Sequence, residues 1–119
     1  MENSLVLPCH TDHAELQDAV EEVCGYKNLI SLNADACVFS MRDWNQIAAA
    51  CPSLQVIYNK YGTRFTVKKL RCLLEQLPDL KIIRFEIGGD FMKDGENWVK
   101  LMDEFPDLDF GRKRSDFFD

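Results

Sequence analysis

The stretch CPSLQVIYNK, residues 51–60, follows a helix-like segment and leads into a strand-like one. Its opening phrase is an apolar residue, proline, a polar residue and leucine. That phrase returns as LPDL at 77–80 and as FPDL at 105–108. The leucines that close it are Leu54, Leu80 and Leu108, and an earlier one, Leu29, lies in CGYKNLISLNADACVF, residues 24–39. They are separated by 25, 26 and 28 residues. A near-constant period of this size marks stacked units, each of which leaves an apolar face for its neighbour to cover.

Before each of these leucines the apolar residues recur at helical spacing. Leu16, Val20, Val23 and Cys24 share one face, and Asp12 with Glu15 is placed to make a capping box. Trp44, Ile47, Ala48 and Cys51 share a second face, with Asp43 or Ser40 as N-cap. A third helix is expected from Thr66 with Val67, Leu70, Leu73, Leu74 and Leu77 inward. A fourth is expected from about Asp94 with Trp98, Leu101, Met102 and Phe105 inward. Pro52, Pro78 and Pro106 end the last three, because proline disfavours helical backbone in the residue before it. Gly25 is expected to end the first. After the helices, LISLNA, LQVIYN and LKIIRFEI are rich enough in Leu, Ile and Val to be strands. LDFGRKR, at 108–114, is a weaker run that closes the array. Helix–strand alternation of this length predicts parallel strands joined by right-handed crossovers.

The stretch Leu29-x-x-Leu32-x-Ala34-x-x-Cys37-x-Phe39 resembles the leucine-rich-repeat consensus L-x-x-L-x-L-x-x-C-x-L. Leu80-x-x-Ile83-x-Phe85 keeps its first half and has Gly88 at the Asn/Cys position. Leu54-x-x-Ile57-x-Asn59 departs further, with a polar residue at an apolar position and Gly62 in place of Cys. ACPSLQVI, with its helix-ending Cys-Pro, resembles the cysteine-containing repeats of F-box leucine-rich-repeat proteins, which are substrate receptors of ubiquitin ligases. No F-box is visible. The resemblance implies an α/β fold: a short right-handed leucine-rich-repeat solenoid of about four helix–strand repeats with a curved parallel sheet. It divides the chain into an N-terminal segment 1–13, a repeat domain 14–110 and a C-terminal tail or cap 111–119. It implies an interaction module that recognises substrate or acts as an adaptor in a ubiquitin-ligase complex.

Composition agrees with a folded domain and narrows its partners. The chain has 119 residues, 46 % hydrophobic and 29 % charged, which suits one domain with a modest core. A net charge of −6 argues against duplex nucleic acid, whose binders are usually basic. No run approaches membrane-spanning length and no signal peptide is visible. The five cysteines, Cys9, Cys24, Cys37, Cys51 and Cys72, form no C-x-x-C pair. Their odd number reads as reduced thiols in a cytoplasmic or nuclear protein, packed as small hydrophobes.

Strand alternation sends Leu29/Leu32, Leu54/Ile57 and Leu80/Ile83 inward and their neighbours outward. The expected outward ladders are Ser31–Val56–Ile82, Asn33–Tyr58–Arg84 and Asp35–Lys60–Glu86. The expected partner-binding residues are therefore Asn33, Asp35, Tyr58, Lys60, Arg84 and Glu86, on the surface that solenoids present to partners. Tyr and Arg are the types enriched at binding hot spots. With so few repeats, the ends call for a cap, a homodimer mate or a partner.

Other clusters carry less. Cys9, His10 and His13 include zinc-ligand types but lack a second ligand pair at finger spacing, so no metal is expected. The stretch from Asp90 puts Met92 and Leu101 where a calcium loop requires acids. Gly88-Gly89 lacks the Lys-Ser/Thr of a phosphate loop and reads as a turn. No catalytic set and no cofactor is expected. Arg112, Lys113 and Arg114 make a basic cluster, and Phe117 and Phe118 either fold back as a cap or serve as a docking motif. The alternative to an interaction module is a small open-sheet α/β enzyme or ligand-binding domain, with its site in the loops 33–40, 59–65 and 86–95. That fold requires a reversal of strand order. A relic of a larger repeat protein is a third reading.

Overall fold

The corner that recurs in the sequence is one hydrogen-bonded turn, used four times. In the computed structural model, which describes residues 3–8, 12–88 and 91–113, the Leu54 N–H donates to the Cys51 carbonyl at 3.3 Å. Leu80 donates in the same way to Leu77 at 3.2 Å, Leu108 to Phe105 at 3.2 Å and Leu29 to Tyr26 at 3.0 Å. Proline occupies the second position of three of these turns, where its fixed φ is already that of the turn. Each proline lies two residues beyond the last helical one, as its effect on the preceding residue requires.

The elements run β1 (Ser4–Val6), α1 (His13–Cys24), β2 (Ser31–Asn33), α2 (Met41–Ala50), β3 (Val56–Phe65), α3 (Val67–Gln76), β4 (Ile82–Ile87) and α4 (Phe91–Glu104). Three of the helix starts are capped by side chains. Asp12 accepts from the Ala14 N–H, Thr66 from the Lys69 N–H, and Ser40 with Asp43 forms a reciprocal capping box. The helix expected from Asp94 begins three residues earlier, at Phe91. Gly25 has φ −74°, so it ends α1 in ordinary right-handed conformation rather than as a left-handed cap.

All four strands are parallel and lie in the order β1-β2-β3-β4. Each step reuses the same bonds. The Asn3 carbonyl accepts from the amides of Ile30 and Ser31, Ile30 from those of Gln55 and Val56, and Gln55 from those of Lys81 and Ile82. The weak last run contributes one further rung, an isolated bridge between Ile82 and Asp109. β1 was not expected; it adds a strand ahead of the first expected one. The curvature expected of the sheet is not found: the sheet is not curled.

α1 packs on α2, α2 on α3 and α3 on α4, so the helices lie side by side on one face of the sheet. On that face Leu32, Ile57 and Ile83 are fully buried, together with Leu29, Leu54, Val23, Ile47, Leu70, Leu73 and Leu101. Leu80, also expected inward, is only partly buried. Through this core runs a row of rings, Phe39, Trp44, Phe65, Phe85 and Trp98, with centroids 5.3, 6.1, 6.2 and 5.6 Å apart in turn.

Of the described cysteines, Cys37 and Cys51 are buried as expected, Cys24 is half-buried, and Cys72 is exposed on α3. Burial pushes the Cys51 thiol from its ordinary 9.0 up to about 11, with neighbouring Cys24 adding to the shift. Its Sγ–H faces the carbonyls of Val23 and Tyr26 at 3.4 and 3.3 Å. The folded state favours the thiol over the thiolate, so this contribution to stability is complete below about pH 9 and is lost as pH rises through about 11. Of the described cysteines, iodoacetamide is expected to alkylate Cys72 first and to reach Cys37 and Cys51 only after unfolding. Peptide mapping with and without denaturant checks this; early labelling of Cys51 would contradict its placement.

Candidate functional site: the open face of the sheet

The face opposite the helices is uncovered among the described residues. The register fixes what it presents. Ser4, Ser31, Val56 and Ile82 are successive Cα partners, and so are Val6, Asn33, Tyr58 and Arg84. The two expected ladders are therefore present, each lengthened by one rung from β1. Neighbouring strands lie about 4.8 Å apart, so the second ladder sets an aliphatic, an amide, a phenol and a guanidinium across about 14 Å. Val6 is 71 % exposed, while Asn33, Tyr58 and Arg84 are half-buried. The sequence reading missed Ser4 and Val6. Their signal was Leu5 and Leu7, which sit two apart like Leu32 and Ala34 in the first recognised repeat.

The third ladder is different from expectation. Beyond Asn59, which pairs with Phe85, the register shifts, and Glu86 pairs with Arg64 rather than Lys60. Lys60 to Thr63 form a bulge in β3. Asp35 is not a partner of the Lys60 ammonium. Its Oδ1 accepts from the Lys60 backbone N–H at 3.1 Å, and its carbonyl accepts from Tyr61 N–H at 2.7 Å. Asn33 Oδ1 in turn accepts from the Asp35 N–H at 3.2 Å. Two of the six expected contact residues thus shape backbone at the end of β2.

The bulge is held from inside. Asn59 is fully buried, and its Nδ2 donates to the carbonyls of Ala34 at 2.6 Å and Cys37 at 2.9 Å. Its Oδ1 accepts from the Thr63 N–H at 2.7 Å. Thr63 Oγ1 donates to the Phe39 carbonyl and accepts from Trp44 Nε1–H at 2.9 Å. A Cβ at Gly62 would lie 2.3 Å from the Cys37 carbonyl oxygen, so only glycine passes there without displacing backbone. The polar residue and the glycine that depart from the repeat pattern are one device. It turns Lys60 and Tyr61 outward, leaving Tyr61 72 % exposed.

At the far end, Arg84 is fixed in place. Its guanidinium meets both carboxylate oxygens of Asp109 at 3.3 Å and donates to the carbonyls of Ile83 and Asp109. The Gly111 N–H, and then Arg84, hold the Asp109 carboxyl below the usual range. Gly111 has φ +70°, and a Cβ there would stand 2.7 Å from Arg84 Cδ. Arg112 donates to the Phe85 carbonyl at 3.1 Å and covers the Phe85 ring at 5.4 Å.

The remaining candidates gather nothing. Cys9, His10, Gly89 and Asp90 lie outside the described residues, as do Arg114, Phe117 and Phe118. His13 is the exposed first residue of α1. Among the described residues no cluster of His, Cys, Asp and Glu could hold a metal ion, and no helix is long and apolar enough to cross a membrane. Comparison with protein-family models, with curated proteins and with solved structures gave no significant match.

Proposed function

We propose that this chain is a protein–protein interaction module of leucine-rich-repeat type, a short right-handed array that binds its partner on the open sheet face. The observation that carries this is the Val6–Asn33–Tyr58–Arg84 ladder on a face no described helix covers. The sequential strand order supports it as well. An open-sheet enzyme would place its ligand where strand order reverses, and β1-β2-β3-β4 has no reversal. The recurring turn and the recurring carbonyl pairing support a repeat unit of 25 to 28 residues. By the resemblance of ACPSLQVI, the reading extends to substrate recognition or an adaptor role in a ubiquitin-ligase complex, in cytoplasm or nucleus. It needs no cofactor. β1 and β4 end the sheet with few further bonds, so a second copy or the partner is the natural cover for those edges.

Tyr58→Ala tests the face without disturbing the anchor that Arg84 makes with Asp109. Tagged wild-type protein is expected to retain a partner from native lysate that the variant loses, with both proteins unfolding at nearly the same temperature. Equal capture by the two would remove the sheet face from the reading.

A further inference from the structure

We infer that the corner of this face beside the β3 bulge holds an acidic, extended segment of the partner; the inference rests on the interaction reading above and adds the partner's chemistry. The chain as a whole carries a net charge of −6, yet this corner is locally basic. A cleft of about 270 Å3 opens there between Lys60, Tyr61, Arg84, Glu86 and Arg112. Of the carboxylates around it, Asp109 is paired with Arg84, Asp35 is turned onto the Lys60 backbone N–H, and Glu86 is the cross-strand partner of Arg64. With Arg84 set against Asp109, the cleft lining keeps Lys60 and Arg112 against Glu86 alone, a small net positive charge on an acidic chain.

The cations differ in kind. Arg112 is held by a carbonyl and a ring at fixed distances, so its remaining N–H donors are already oriented. Lys60 is exposed on the bulge. A fixed fork beside an exposed ammonium suits carboxylates arriving on a peptide. Tyr61, standing 72 % exposed next to them, offers a flat apolar surface to the same segment. The net negative charge of the rest of the chain disfavours a long polyanion such as RNA and leaves a short acidic stretch as the ligand that fits.

The test is a titration of the full chain, followed by amide NMR, with a short peptide of alternating aspartate and serine. Its twin has asparagine for aspartate. Shifts are expected at Lys60, Tyr61, Glu86, Gly111 and Arg112, weaker at physiological salt than at low salt, and absent with the twin. Lys60→Gln with Arg112→Gln, checked by an otherwise unchanged spectrum, is expected to weaken binding at least about tenfold. No shifts, equal shifts from the twin, undiminished binding by the double variant, or tighter binding of oligouridylate would each overturn the inference. If lysate capture needs Tyr58 but is indifferent to Lys60 and Arg112, the acidic partner is wrong while the interaction module stands.

Discussion

Trp44→Ala is expected to lower the unfolding free energy by about 3–5 kcal/mol, the range for deleting a fully buried large aromatic. Trp44 is completely buried, edge-on to Phe39 at 5.3 Å and tilted against Phe65 at 6.1 Å. The substitution opens a cavity in the middle of the ring row and removes the donor that Thr63 Oγ1 accepts. Phe39 sits after β2, Trp44 on α2 and Phe65 at the end of β3, so the loss falls where neighbouring units meet. Trp44→Phe separates the two causes. It keeps most of the ring and drops the hydrogen bond, and is expected to cost about 1–2 kcal/mol. Domains of this size are stable by about 5–15 kcal/mol. The alanine variant should therefore show a large fall in urea midpoint, read from the fluorescence of Trp98. A loss below about 1 kcal/mol would mean the row is not the close-packed spine described here.

The helices, the corners and the register of the central strands were legible because each leaves a local mark. Proline after the helix and leucine after the turn fix where each strand starts, and a fixed start in a period-2 strand decides every side chain's face. That is why Asn33, Tyr58 and Arg84 were placed side by side from sequence and stand so in the structure. Lys60 and Glu86 failed for the same reason. Counting in twos holds only until a bulge, and the bulge of β3 begins at Lys60, so Glu86 meets Arg64 instead. Asn59 and Gly62 looked like defects of a repeat. A polar residue at an inward position with glycine three residues on is the signal that could have revealed the bulge. β1 and β2 are both three residues long, too short for alternation alone to count, and β2 was legible through the corner at Leu29 that leads into it. The clamp of Arg84 by Asp109 spans 25 residues and depends on Gly111 at positive φ, which no local pattern announces. The corner that gives the face its chemistry was thus the least legible part.

Asn59→Leu is expected to destabilise the fold by about 2–4 kcal/mol, although leucine is the residue type the repeat pattern asks for at that position. The amide bridges two chain segments. Without it the Ala34 carbonyl still accepts from Cys37 N–H and the Cys37 carbonyl from Phe39 N–H, but Thr63 N–H loses the acceptor that holds the bulge. Burying leucine offsets part of this, because the side chain is more apolar; it cannot bond to carbonyls that approach within 2.6 and 2.9 Å. Gly62→Ala attacks the same crossing from three residues further along β3, forcing a methyl group against the Cys37 carbonyl and the Asn59 amide. If the two are one device, the double variant should cost clearly less than the sum of the singles, since either change alone already opens the crossing. Denaturant unfolding of the four proteins measures this. Additive losses would mean that Asn59 and Gly62 serve separate ends, and an Asn59→Leu variant as stable as wild type would mean the bulge is shaped by its own turn rather than by the buried amide. The same variants reach the binding face. The amide that steadies the bulge is also what holds Lys60 and Tyr61 outward, so loosening it should blur the acidic-peptide shifts at those two residues and leave those at Arg112, anchored on Phe85, in place.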